Sequence, residues 1–249
     1  MNFAFKAPIV GSAGFSRDEF DRLAGAAVDG QNLSDQDRVE LDVDGDGNTV
    51  LVGALAKRRL DIGIIGSNNT VYIGSSPKFF GHIEIRGDNN TFFFSETSTC
   101  NKGVFVIKGD GVSMLFGEDC MLSTEVAFRC SDSHGIIDLD SLEIVNQAED
   151  IVVRPHVWIG QEATVMKGVE IGSGSIVAAK AMVTADVPPT ACVAGVPARM
   201  IRQNVSWTRK YDAPLRERRR IKELVSSSLL LLAGYFADFS WLLDAAFLG

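Results

Sequence analysis

Few residues in this chain of 249 can move a proton or hold a metal. The three histidines, His82, His134 and His156, stand 52 and 22 residues apart. A catalytic zinc wants three converging ligands, two of them close in sequence, so the pattern argues against a metal site. His134 differs from the others in its surroundings. It lies in Ser131-Asp-Ser-His-Gly-Ile-Ile-Asp-Leu-Asp140, a polar stretch with little apolar periodicity. Imidazoles in general titrate near neutral pH and suit removal of a proton from a hydroxyl nucleophile. Asp132 or a backbone carbonyl would orient the ring, and the sequence leaves the two open. Cys100, Cys120, Cys130 and Cys192 form no Cys-x-x-Cys pair and read as free thiols in a reducing cytoplasm. Asp42-Val-Asp-Gly-Asp-Gly47 imitates the start of a calcium loop, but its twelfth position is Gly53 instead of a bidentate Glu. It reads as a turn.

The elements that must position these groups are announced by a repeat. Val153, Ile159, Val165, Ile171, Val177 and Val183 fall six residues apart without a break. Four residues after each stand Val157, Ala163, Val169, Ser175, Ala181 and Val187, mostly small or β-branched. A helix needs a spacing near 3.6 and an ordinary strand a period of two, so period six fits neither. It fits a parallel β-helix in which each hexad is one short strand and a corner. Each coil buries its apolar row only against neighbouring coils. Three hexads per coil make 153–188 two coils. A looser repeat precedes it: the segments beginning at Gly45, Gly66, Gly87 and Gly109 align at offsets of 21, 21 and 22. These read as coils with extra corner residues, where Gly and Asn supply turn conformations. Residues 129–152 interrupt the two repeats, and a loop that long in a compact repeat is usually functional. The capping box Ser16-Arg-Asp-Glu19 predicts a short helix before the coils, and 215–248 reads as helical. The expected layout is an N-terminal helical arm over 1–40, a β-helix over 41–203 with a catalytic loop at 129–152, and a helical extension over 204–249.

Several segments in fixed order resemble the hexapeptide-repeat acyltransferases, in particular the polysaccharide and galactoside O-acetyltransferases. They are Ser131-Asp-Ser-His134, His156-Val-Trp-Ile-Gly160, Val169-Glu-Ile-Gly-Ser-Gly-Ser175, Val187-Pro-Pro189 and Ala194-Gly-Val-Pro-Ala-Arg199. The resemblance implies a left-handed helix, a homotrimer, and acetyl-CoA bound in clefts between coils. It implies that His134 is the general base, and that Trp158 and His156 line the reactive end. By the galactoside match, Gln161, Ala179 and Thr184 lie along the CoA arm, and Arg199 and Arg202 approach its phosphates. A lysine usual after the threonine is Ala185 here, with Lys180 nearby. The implied reaction is acetyl transfer from acetyl-CoA to a carbohydrate hydroxyl, on a cell-surface polysaccharide or its precursor. An N-acyltransferase and a non-catalytic β-helix scaffold are the alternatives.

Composition fits this reading. The net charge of −8 argues against a nucleic-acid partner. Residues 199–222 nevertheless hold 9 basic and 2 acidic side chains. No run reaches the ~18 apolar residues of a membrane span, and the start lacks the pattern of a signal peptide. A cytoplasmic protein is expected. The apolar tail with Phe236, Phe239, Trp241 and Phe247 is expected to pack on its own coils or a sister subunit, or to make a peripheral membrane contact.

Overall fold

The computed structural model describes residues 2–6, 38–53 and 58–230. The hexads behave as period six requires. All six leading positions from Val153 to Val183 are buried, and so are the six positions four residues later. Each leading residue lies beside its counterpart one coil on: Val153 pairs with Ile171, Ile159 with Val177, and Val165 with Val183. The protein is mainly β, a parallel β-helix.

Its first half is wound differently from its second. Strands β1 (Asn2–Lys6), β3 (Thr49–Gly53), β5 (Thr70–Ile73), β7 (Thr91–Phe94) and β9 (Ser113–Phe116) stack as one face. The longer strands β2 (Arg38–Asp44), β4 (Arg58–Ile65), β6 (Phe79–Arg86) and β8 (Thr99–Lys108) stack as the other. Below β8 the long face divides. Its start pairs with β10 (Met121–Leu122) and its middle with β11 (Val126–Arg129). From there each coil has three short sides. They are β12 (Ile151–Val153), β13 (Trp158–Ile159) and β14 (Thr164–Met166), then β15 (Glu170–Ile171), β16 (Ile176–Val177) and β17 (Met182–Val183). Strands β18 (Ala191–Ala194) and β19 (Arg199–Gln203) close the stack as an antiparallel pair. Helix α1 (Leu215–Leu230) follows.

The wide coils are filled by rings. Phe79, Phe92, Phe94, Phe105, Phe116 and Phe128 are fully buried. Phe105 meets four others at centroid distances of 5.1–5.8 Å, and Phe116 also meets four. At one corner Asn48, Asn69 and Asn90 form a ladder. The side-chain oxygen of Asn48 accepts the Asn69 N–H, and that of Asn69 accepts the Asn90 N–H, both at 2.9 Å. Their amides donate to the carbonyls of Gly66, Gly87 and Gly109. Corner backbone groups that strands leave unpaired are thereby satisfied.

Two expectations need revision or lie elsewhere. Against a helical arm over 1–40, Asn2–Lys6 is a strand paired with β3, and β2 begins at Arg38. The reason is the alternation Asn-Phe-Ala-Phe-Lys, which has the strand period of two. The capping box at Ser16 and the apolar tail beyond Leu230 lie outside the described residues. Among the described residues no helix is long and apolar enough to cross a membrane, and no cluster of candidate metal ligands occurs.

Candidate active site

The break between β11 and β12 throws a hairpin off the coils. Ile137 bridges Ile144, and the Val145 N–H donates to the Ile136 carbonyl at 2.9 Å. At its tip the Asp138 carboxylate accepts the N–H groups of Asp140 and Ser141, which hold this carboxyl below the usual carboxylate range. At its base the Asn146 amide donates to Asp132 and to the His134 carbonyl, both at 2.8 Å. The hairpin is thus fixed by its own bonds, yet its apolar side chains face outward. Ile136, Ile137, Leu139, Leu142, Ile144 and Val145 are all exposed, Leu139 by 86%.

His134 stands at the foot of this hairpin, exposed, and its ring makes no hydrogen bond or ion pair among the described residues. Asp132 does not orient it. That carboxylate is taken by Lys167 at 2.9 Å and by Asn146, and these two bonds lower its pKa. The backbone carbonyl alternative finds no partner within the protomer either.

His156 is the opposite case. It is 2% exposed, at a corner with φ 58°, just before β13. Its Nδ1 lies 2.8 Å from Asp119 Oδ2, and its Nε2 lies 3.1 Å from the Trp207 carbonyl. Both ring nitrogens are thus engaged within the fold, one by a carboxylate and one by a backbone carbonyl. His156, expected to line the reactive end, is placed in a buried position two residues before the exposed Trp158. Its ring stacks on Trp207 at 4.4 Å and 8°, and the Trp207 Nε1 donates back to the His156 carbonyl at 2.9 Å. Arg209 grips Asp119 Oδ1 through Nε and Nη2 at 3.0 and 2.8 Å, and reaches Thr99 and the Cys120 carbonyl. Burial would raise the Asp119 carboxyl, but the bonds from His156 and Arg209 outweigh it and hold the carboxyl low. Trp158 projects outward from β13, 37% exposed, its ring 6.3 Å from Trp207. The segment after the coils therefore buttresses the corner that presents this indole. Asp119, Trp207 and Arg209 are absent from the sequence expectations. Their partners lie 37 to 90 residues away, and only a lone tryptophan beside an arginine in the basic segment hinted at them.

The five residues expected along the CoA arm are all exposed on the strict coils or the closing pair. Gln161 and Ala179 occupy the same corner of successive coils, since Ile159 pairs with Val177 and the Lys180 N–H donates to the Gln161 carbonyl. Gly195 continues that corner beside Val193, the partner of Val177. Beyond Gln161 the corner carries only the small Ala179 and Gly195, on which a thin chain can lie close. Thr184 follows β17, at a different corner. Arg199 and Arg202 lie on β19 opposite Ala194 and Cys192, and neither pairs with an acid among the described residues, though the Arg199 Nη1 donates to the Ala198 carbonyl at 2.9 Å. Guanidinium forks without an acid partner suit phosphates. Lys180, beside the position of the missing lysine, pairs with Glu162 at 3.3 Å. The thiols offer no rival chemistry. Cys100, Cys120 and Cys130 are buried, and burial raises their pKa values, that of Cys120 to about 12.

Comparison with known proteins agrees with the repeat. Residues 150–185 match the family model "Bacterial transferase hexapeptide (six repeats)". A polysialic acid O-acetyltransferase of Escherichia coli O1:K1 / APEC is 35% identical over 111 residues, covering 45% of this chain and 36% of the relative. The chain thus spans about a third of the length of that curated relative. The crystal structure of the polySia-specific acetyltransferase NeuO superposes with a TM-score of 0.64 at 29% identity, covering 76% of this chain and 98% of that one. The polysialic acid O-acetyltransferase OatWY, at 24% identity and a TM-score of 0.58, covers 74% and 98% and attests the fold. Residues 150–185 thus carry the hexapeptide repeat of bacterial transferases, and the coil stack around them is similar to that of NeuO.

Proposed function

We propose that the protein is an acetyl-CoA-dependent O-acetyltransferase. Its acceptor is a hydroxyl of a carbohydrate, on a cell-surface polysaccharide or its precursor. The observation that carries the reading is the unpartnered His134 ring, on a hairpin ejected from coils that match transferases. The six exposed aliphatic side chains of that hairpin support a homotrimer in which it lies against the neighbouring protomer. His134 of one subunit then meets Trp158 of the next.

In that cleft His134 takes the proton of the acceptor hydroxyl as its oxygen attacks the thioester carbonyl. The new C–O bond forms as the C–S bond breaks, and the imidazolium returns its proton to the departing thiolate. Bound acetyl-CoA supplies the acetyl group. Trp158, propped by Trp207 and His156, walls the reacting carbonyl, and its indole N–H is a candidate donor to the developing oxyanion. Gln161, Ala179 and Thr184 flank the arm, and Arg199 and Arg202 hold the phosphates. Residues 41–203 form the acyltransferase unit. A cytoplasmic site of action, with membrane contact through the C-terminal extension, completes the proposal.

Release of CoA thiol on incubation with acetyl-CoA and a panel of oligosaccharides tests this. A base-labile ester product is expected, where an amide would point to the N-acyltransferase. His134→Ala should lower kcat by at least ~100-fold while CoA still binds, the low end of general acid–base contributions. Full activity in that variant removes the mechanism, and a wild-type protein that gives no saturable heat with acetyl-CoA is a scaffold.

A further inference from the structure

A cavity of about 410 Å³ lies where α1 leans on the segment that closes the coils. Arg218, Ile221, Lys222 and Val225 line it from the helix, a spacing that puts them on one face. Asn204 and Thr190 face them from the closing segment and the last coil. Several cations of the coils and of the segment that follows them are neutralised. Lys102, Arg154, Lys167 and Arg209 each pair with a carboxylate within 2.9 Å. Arg216, Arg218, Arg219, Arg220 and Lys222 have no such partner among the described residues, in a chain whose net charge is −8. The side chains of Asn204 and Thr190 are equally uncommitted, whereas the Ser206 hydroxyl is spent on the Gly174 carbonyl.

The cavity therefore offers a guanidinium and an ammonium for an anion, an amide and a hydroxyl for hydroxyl groups, and Ile221 and Val225 for a ring face. That is the complement of an acidic sugar, with its carboxylate, hydroxyls and C–H surface. Trp207 is also part of the wall, and it stacks on His156 and stands 6.3 Å from Trp158. We propose that this cavity is a second sugar subsite, which holds an acidic unit of the polymer while a different unit is acetylated. The inference rests on the acetyltransferase reading, to which it adds an anionic acceptor gripped away from the reacting hydroxyl.

Calorimetry of the full chain with size-fractionated polysialic acid oligomers, without acetyl-CoA, tests it. The double variant Arg218→Gln/Lys222→Gln should weaken binding about tenfold or more, a difference of about 1.4 kcal/mol. Asn204→Asp, which sets a carboxylate in the cavity without disturbing the helix, should weaken it too. Arg216→Gln/Arg220→Gln removes the same charge outside the cavity and should leave most of the affinity. Equal losses in both double variants mean diffuse attraction and overturn the subsite, as does wild-type protein that binds no oligomer. A loss of CoA affinity in place of oligomer affinity assigns the cavity to the CoA phosphates and overturns it as well. Cavity-dependent binding with no acetyl transfer by the wild type leaves the subsite standing and removes the acetyltransferase reading.

Discussion

The two halves of the stack reach the same parallel pairing by different codes. In the wide coils, Thr49, Thr70, Thr91 and Ser113 lie in register at intervals of 21, 21 and 22 residues. In the strict coils the interval is 18, as for Val153 and Ile171. The wide coils are long-sided and need phenylalanines to fill them and an asparagine ladder to satisfy their corners. The strict coils are three-sided and filled by Val, Ile and Ala. Corners are tight in both halves: an added Cβ would fall 2.0 Å from the Gly66 carbonyl oxygen at Gly45 and 2.6 Å from the Ala179 nitrogen at Gly160. The candidate chemistry gathers on the strict half, where the corners carry Trp158, Gln161 and Ala179 outward at fixed intervals.

That contrast can be broken at its packing first. Phe105→Ala should cost about 3–5 kcal/mol, because four buried rings lose a neighbour, whereas Ile159→Val in the strict half should cost about 0.5–1.5 kcal/mol. Denaturant titration of both variants measures the pair, and a Phe105→Ala cost under about 1.5 kcal/mol would show that the rings do not form a tightly packed core. Asn69→Ala should cost about 1–3 kcal/mol by the same measurement, since it strands the Asn90 N–H and the Gly87 carbonyl. Loss of only a few tenths would show the ladder to be incidental.

Asp119 sharpens the comparison through pH. Its carboxyl is held below the unfolded value, so its contribution to stability is complete above that value and fades as pH falls through the folded one. Thermal melts of Asp119→Asn against pH should show lower stability at neutral pH and a shallower loss in acid. Curves parallel to wild type would mean that the His156–Asp119–Arg209 cluster does not support this corner. The smallest expected effect is on cosubstrate affinity. Arg199→Ala/Arg202→Ala should raise the KM for acetyl-CoA several-fold, as expected for lost charge-assisted contacts, with kcat little changed. An unaltered KM takes both arginines out of the site.

Much of this was legible in the chain because repetition is a local signal. Hexads and the Gly-Asn corners give coil length directly, and the loop of His134 declares itself by breaking the register. The division of the long face below β8 was not legible, since Thr99–Lys108 is itself one strand and only its partners β10 and β11 are separate. Nor was the fate of His156. Its motif resembles a reactive-end lining, but Trp207 and Asp119 reach it from 51 and 37 residues away and bury it. Non-periodic partners at such distances leave no trace in spacing. His134 escapes this fate because its hairpin leaves the coils altogether.

The central claim is that His134 works across a subunit boundary, beside the Trp158 of a neighbour. Co-expression of His134→Ala and Trp158→Ala chains, each inactive alone on this account, tests it most directly. Each mixed trimer has one interface that holds both native residues, about a quarter of all interfaces in a random equal mixture, so acetyl transfer should return to a corresponding part of the wild-type rate. Mixed assemblies that stay as inactive as either parent would place both residues within one protomer's site and contradict the account.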